Sequence, residues 1–145
     1  MRSGTLSAGL AGAVWSGLPS TVWTLFEGGD PAEGGRALGK VLLPREERTW
    51  ALLAAGAPVH LALSLGWAAV LARVLPEHDE PVLGVVGGLA IAGLDLAVLG
   101  RFLGPIAALP QGRQWADHAA FGLCVGLVLQ NRRHARDRDL QEGRP

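Results

Sequence analysis

The stretch PVLGVVGGLAIAGLDLAVLG, residues 81–100, contains a single ionisable side chain, Asp95. An apolar helix of ~20 residues crosses a ~30 Å hydrocarbon core, so this segment has the length and composition of a membrane span. Three more runs pass the same test. Residues 5–26 carry no charge, residues 50–75 hold only His60 and the late Arg73, and residues 115–130 become free of charge after His118. The remaining charges collect at 27–48, at 76–80, at Arg101 and Arg113, and beyond residue 131. With 49% hydrophobic and 18% charged residues, the expected fold is an all-α, four-helix transmembrane bundle. Residues 1–131 form its single domain and 132–145 a charged tail that frays. Arg2 ahead of the first run resembles a signal peptide, but the run is too long for one and no small-residue cleavage site follows.

Several function classes are excluded at this level. The formal net charge is zero and the basic residues are scattered, which leaves no nucleic-acid footprint. Cys124 is the only cysteine, so one chain forms neither a disulfide nor a thiolate metal site. Hydrolase elbow, phosphate loop, dinucleotide fingerprint and paired-histidine zinc helix are all missing. The expectation is a non-enzymatic integral membrane protein with no cofactor, whose partner is the lipid bilayer.

Four spans place both termini and the link PEHDE (76–80) on one side, and the links 27–49 and 101–113 on the other. The Lys/Arg count is nearly balanced, seven on the terminal side (Arg2, Arg73, Arg132, Arg133, Arg136, Arg138, Arg144) against six opposite. The dense RRHARDR run directly after the fourth span tips the orientation toward cytoplasmic termini. In the long link, Asp30, Pro31 and Glu33 have the spacing of a capping box and predict a short interfacial helix, which Gly34, Gly35 and Gly39 weaken. Pro44, Glu46 and Glu47 mark the start of the second span. Trp23, Trp50, Trp115, Phe26 and Phe102 fall at the span ends on the long-link side, as an aromatic belt would.

Helices in lipid meet through small residues spaced four apart. Such stripes run through Ala8, Gly12, Ser16 and Ser20; through Gly56, Ser64 and Ala68; through Gly84, Gly88 and Ala92; and through Gly122 and Gly126. These faces can pack within one chain or between copies, so a homo-oligomer is compatible with them. The ionisable residues share the stripes: His60 lies between Gly56 and Ser64, His118 is four before Gly122, and Asp95 three after Ala92. All three are therefore expected to point inward. Counting 1.5 Å per residue from the long-link side puts Asp95 and His118 about 6 to 8 Å deep, Ser20 about 9 Å and His60 about 15 Å. Asp95 and His118, on antiparallel spans joined by a short link, should lie within hydrogen-bonding range or one water apart. Asp117 should face away from them as a solvated group or N-terminal cap.

Two readings of this cluster (Asp95, His118, His60, Ser64, Ser20, Ser16) follow. The first is structural, polar side chains tying helices together at ~0.6 kcal/mol per contact on average. The second is a small transporter or proton-linked permeation unit built on Asp95, His118 and His60. Two histidines and a carboxylate also match a facial metal site, but their unequal depths and the absent H-x-x-x-H spacing speak against a metal. Pro19 predicts a kink in the first span, with Ser16, Ser20 and Thr21 available for the freed carbonyls; Pro58 offers the same in the second.

The strings AVWSGLPSTVWTL (13–25), PVHLALSLGWAAVLA (58–72) and WADHAAFGLCVGLVL (115–129) together resemble the small, uncharacterised four-span integral membrane proteins of high-GC Gram-positive bacteria. The W-x-D-H-x-x-F-G string from Trp115 to Gly122 is the most specific part. The resemblance covers most of residues 4–130. It implies the architecture and the inner-membrane location, and assigns no catalytic residue.

Overall fold

The computed structural model describes residues 4–78 and 80–142, the side chain of Leu99 apart. Arg2 and Arg144 of the orientation count and Asp79 of the short link lie outside them. The described residues are helical, joined by turns, with no strand among them. The helices are α1 (Thr5–Trp15), α2 (Leu18–Phe26), α3 (Glu33–Leu42), α4 (Thr49–Val74), α5 (Glu80–Ala92), α6 (Gly104–Ala107) and α7 (Gln111–Gln141). Past Ala92, α5 widens into a π-helical stretch, Gly93–Leu99, and closes in a 3₁₀ turn, Gly100–Phe102. Among the described residues two helices are long and apolar enough to cross a membrane, α4 and the continuous Glu80–Phe102 helix.

Glycine sets the tightest contact, between α5 and α7. A Cβ on Gly122 would strike the carbonyl of Gly84, one on Gly88 the carbonyl of His118, and one on Gly126 the carbonyl of Glu80. The two antiparallel helices therefore touch backbone to backbone, which any larger residue forbids. On the far side of α7, Gly12 of α1 receives the ring of Phe121, and Gly9 receives Leu65 and Ala68 of α4. Ala8, Ala68, Ala72, Phe121 and Val125 fill the space where α1, α4 and α7 meet. The small-residue stripes thus coincide with the buried faces, with Ser20 alone half-buried.

The first run is interrupted between Trp15 and Leu18, with Pro19 at the second position of α2. This is the predicted kink, sharpened into a break. α4 by contrast runs unbroken through Pro58. The expected helix in the long link forms, but begins two residues beyond the predicted start: Asp30 caps the preceding turn through the amide of Ala32 (2.8 Å) and pairs with Arg36. The Arg36 guanidinium holds the Asp30 carboxyl below its ordinary range. Gly35 and Gly39 are what bring this helix close, because they seat α3 antiparallel against Leu52, Leu53 and Gly56 of α4. Ahead of α4, Glu46 accepts the amides of Glu47 and Arg48 and the Arg48 side chain. Arg48, first, and these amides push the Glu46 carboxyl down to about 2.

One further correction concerns the tail. Instead of fraying after residue 131, α7 continues as a helix to Gln141, about 46 Å in all at 1.5 Å per residue. Arg133 on this extension pairs with Glu80, whose side chain is 2% exposed. The α5–α7 contact is thereby pinned at the end remote from Asp95.

The glycine seam makes a contrast that can be measured by reversible unfolding in mixed detergent micelles. Gly122→Ala must push α5 from α7 and is expected to cost about 1 to 3 kcal/mol as overpacking. Gly17→Ala meets nothing within 4 Å and should be neutral or stabilise by about 0.4 to 1 kcal/mol. Equal effects would show that the seam does not hold the fold.

Candidate polar site between the helices

Side chains on a helix lean toward its N-terminus. On antiparallel α5 and α7 this makes Asp95 and His118 lean toward each other, and Asp95 Oδ2 stands 3.6 Å from His118 Nε2, each side chain 22% exposed. The pairing expected from depth is present. Asp95 also accepts a hydrogen bond from Trp67 Nε1 of α4 at 2.9 Å, a partner that residue spacing does not reveal. α4 otherwise touches α5 only sparingly, so Trp67 bridges a gap in the bundle. His118 Nδ1 donates to the carbonyl of Gln114, one turn back on α7, at 2.8 Å.

Asp95 sits in the π-helical stretch, where Gly100 N–H donates to the Asp95 carbonyl in an i to i+5 bond. Such wide turns re-aim side chains and recur at functional positions. Close approach at Gly100 permits it here, since a Cβ at Gly100 would lie 2.7 Å from the Asp95 carbonyl oxygen.

His60 does not join the pair, contrary to the expectation that it points inward. It is exposed, and its Nε2 donates to the carbonyl of Ala13 at 3.0 Å. The reason lies in the stripe that placed it: Gly56 is buried by α3, whereas Ala68 is buried by α1. The four-residue spacing joined two contact faces with different partners, and His60 falls at the edge between them. Its bond still has a purpose, because Ala13 lies in the last turn of α1, where carbonyls lack helical partners. Ser16 and Ser64 are buried, but neither bonds to Asp95 or His118 among the described residues.

Of the two roles expected of Asp117, solvated group or N-terminal cap, it takes the second, but on another helix: its Oδ1 accepts the amide of Ser20 at 2.8 Å, the third residue of α2. It caps a helix 97 residues away in sequence. Four residues earlier on α7, Arg113 donates to Thr24 Oγ1 at 2.7 Å and pairs with Glu27 at the other end of α2. An acid thus sits at the N-terminus of α2 and a base at its C-terminus, matching both poles of its dipole. Ser20 Oγ completes the break by donating to the Gly17 carbonyl at 3.2 Å. The sequence signal for this was present as the 113/117 spacing, one turn on one face, but nothing local names the helix it serves.

Among the described residues no three of His, Cys, Asp or Glu are grouped to hold a metal ion. Compared with known protein families, with curated proteins and with solved structures, the chain matches none.

The cap is open to a direct check. Asp117→Ala should cost about 0.5 to 2 kcal/mol and accelerate hydrogen exchange at the Ser20 amide, whereas Asp117→Asn, which keeps the acceptor, should restore most of the protection. Unchanged exchange in the alanine variant would remove Asp117 from this role.

Proposed function

We propose that the chain is a non-enzymatic, four-span integral membrane protein whose polar groups tie its helices together, with both termini on the cytoplasmic side. The observation that carries this reading is how many bulky apolar side chains stay outside the bundle. Glycine and alanine make the closest helix contacts beside a small core of Leu71, Leu75, Ile91, Phe121, Val125 and Leu129, while other bulky apolar side chains point outward: Val14 is 69% exposed, Phe26 88%, Val82 67%, and Leu123 and Leu127 are exposed on α7. Water-soluble bundles bury their large apolar residues, but helices in lipid gain nothing by doing so and associate through small ones. Large apolar side chains are exposed on α1, α2, α4, α5 and α7 alike, and exposed apolar surface of that kind marks contact with lipid or protein.

The polar groups agree with it. In hydrocarbon every backbone group needs an internal partner. The interrupted span meets that need through His60, Asp117 and Ser20, and Asp95 meets it through Trp67 and His118. The outward aromatics Trp50, Trp23, Phe26 and Phe102 lie toward the long-link end, where a headgroup belt would receive them. The α5–α7 seam between Asp95 and Glu80 is closed by backbone contact, which favours a tie over a conduit along that interface.

Reporter fusions at the C-terminus and within residues 27–32, 76–80 and 103–110 test the topology. Cytoplasmic signals are expected from the C-terminus and the 76–80 link, and external signals from the other two. Release of the chain from membranes by alkaline carbonate, or fusions that all report one side, would refute it.

A further inference from the structure

We propose that Asp95 and His118 form an intramembrane proton-binding site that holds one proton at neutral pH, an inference that rests on the membrane-spanning reading for its setting. It turns on the histidine tautomer. A carbonyl oxygen can only accept, so the 2.8 Å bond to Gln114 requires a hydrogen on His118 Nδ1. A neutral ring with Nδ1–H presents a bare lone pair at Nε2. That lone pair faces Asp95 Oδ2 across 3.6 Å. Two acceptors would then oppose each other in a half-buried contact, unless a proton from solution joins them.

The donor set decides where the proton resides. Trp67 Nε1–H already donates to the same carboxylate oxygen at 2.9 Å, so Oδ2 is in use as an acceptor. The proton therefore sits on Nε2, giving an imidazolium–carboxylate pair with no net charge. Its loss leaves one uncompensated negative charge where α4, α5 and α7 meet. The Trp67 bond, which bridges α4 to α5, then holds an unbalanced charge. Deprotonation thus leaves the Trp67 N–H as the one side-chain donor to the Asp95 carboxylate among the described residues.

The surroundings hold few competing charges. On α7 itself Asp117 is adjacent to His118 but engaged by the Ser20 amide, and Arg113 is engaged by Glu27. From α4 come Trp67, which does not titrate, and His60, which is bonded to Ala13. α1 and α2 contain no ionisable side chain, and on the α5 side Arg101 lies over the ring of Phe102. Among the described residues only Asp95 approaches His118 Nε2 as an ion-pair partner.

The test is nitrogen NMR of the full chain, labelled with ¹⁵N-histidine, in phosphatidylcholine nanodiscs from about pH 5 to about pH 9. His118→Gln assigns the resonance among the four histidines. The proposal expects Nδ1 protonated throughout and Nε2 protonated at neutral pH. Asp95→Asn keeps the shape and the bond from Trp67 but removes the charge, and should lower the ratio of protonated to unprotonated Nε2 about tenfold or more. A neutral ring carrying Nε2–H with bare Nδ1 overturns the proposal. So does a protonation ratio unchanged by Asp95→Asn. The tautomer is read on the wild-type chain, so this outcome does not depend on the variant folding. In the same discs, a lipid-borne paramagnetic quencher should broaden the methyls of Val86 and Leu123. Absent broadening sinks the spans and leaves the tautomer to judge the pair, whereas normal broadening with the wrong tautomer sinks the proton site alone.

Discussion

Backbone contact between α5 and α7 is the constraint on which the other features depend. Gly84, Gly88, Gly122 and Gly126 leave no room for a single added carbon, so the two helices have one register and one separation. That register sets what lies at each end. Toward the long link it brings His118 to Asp95, and toward the short link it brings Arg133 to Glu80. Close approach of this kind gains dispersion energy over a long contact without any need for water expulsion, which suits helices whose outer faces are apolar.

The second organising feature is the interruption of the first apolar run, between α1 and α2. A proline in an apolar helix frees backbone groups that must find partners nearby. Here they are supplied by other helices: His60 of α4 serves the Ala13 carbonyl, and Asp117 of α7 serves the Ser20 amide. Arg113 holds the opposite end of α2. The break therefore fastens α2 to α7 through three polar contacts. Arg113, Asp117 and Arg133 of α7 bond to neighbouring helices, which explains their positions better than solvation does.

Much of this was legible in the sequence. Small residues at four-residue spacing located the buried faces, because in a helix that spacing nearly returns to the same side and only small side chains permit the contact. Depth counting paired Asp95 with His118, although the seam sets His118 level with Gly88 and the two side chains meet by leaning toward each other. The same arithmetic misplaced His60, since a stripe records burial but not by which neighbour, and α3 and α1 cover successive parts of α4. It also missed Trp67 as a partner of Asp95 and α2 as the helix that Asp117 caps. These partners are distant in sequence, and a cap supplied from another helix leaves no local pattern. The π-helical stretch at Asp95 had no signature beyond Gly93 and Gly100. The helical continuation of α7 past residue 131 was hidden by its charge, although Arg133 is anchored by Glu80.

The central claim is that these helices lie in lipid rather than in water, and the single cysteine gives the most direct measurement of it. Cys124 lies midway along α7 and is only partly covered by the rest of the chain. A water-soluble maleimide added to intact vesicles should leave Cys124 unmodified and should label it fully once the chain is unfolded in SDS. Labelling in intact vesicles at the rate of an exposed thiol would contradict the account, because nothing within the protein fully shields that side chain.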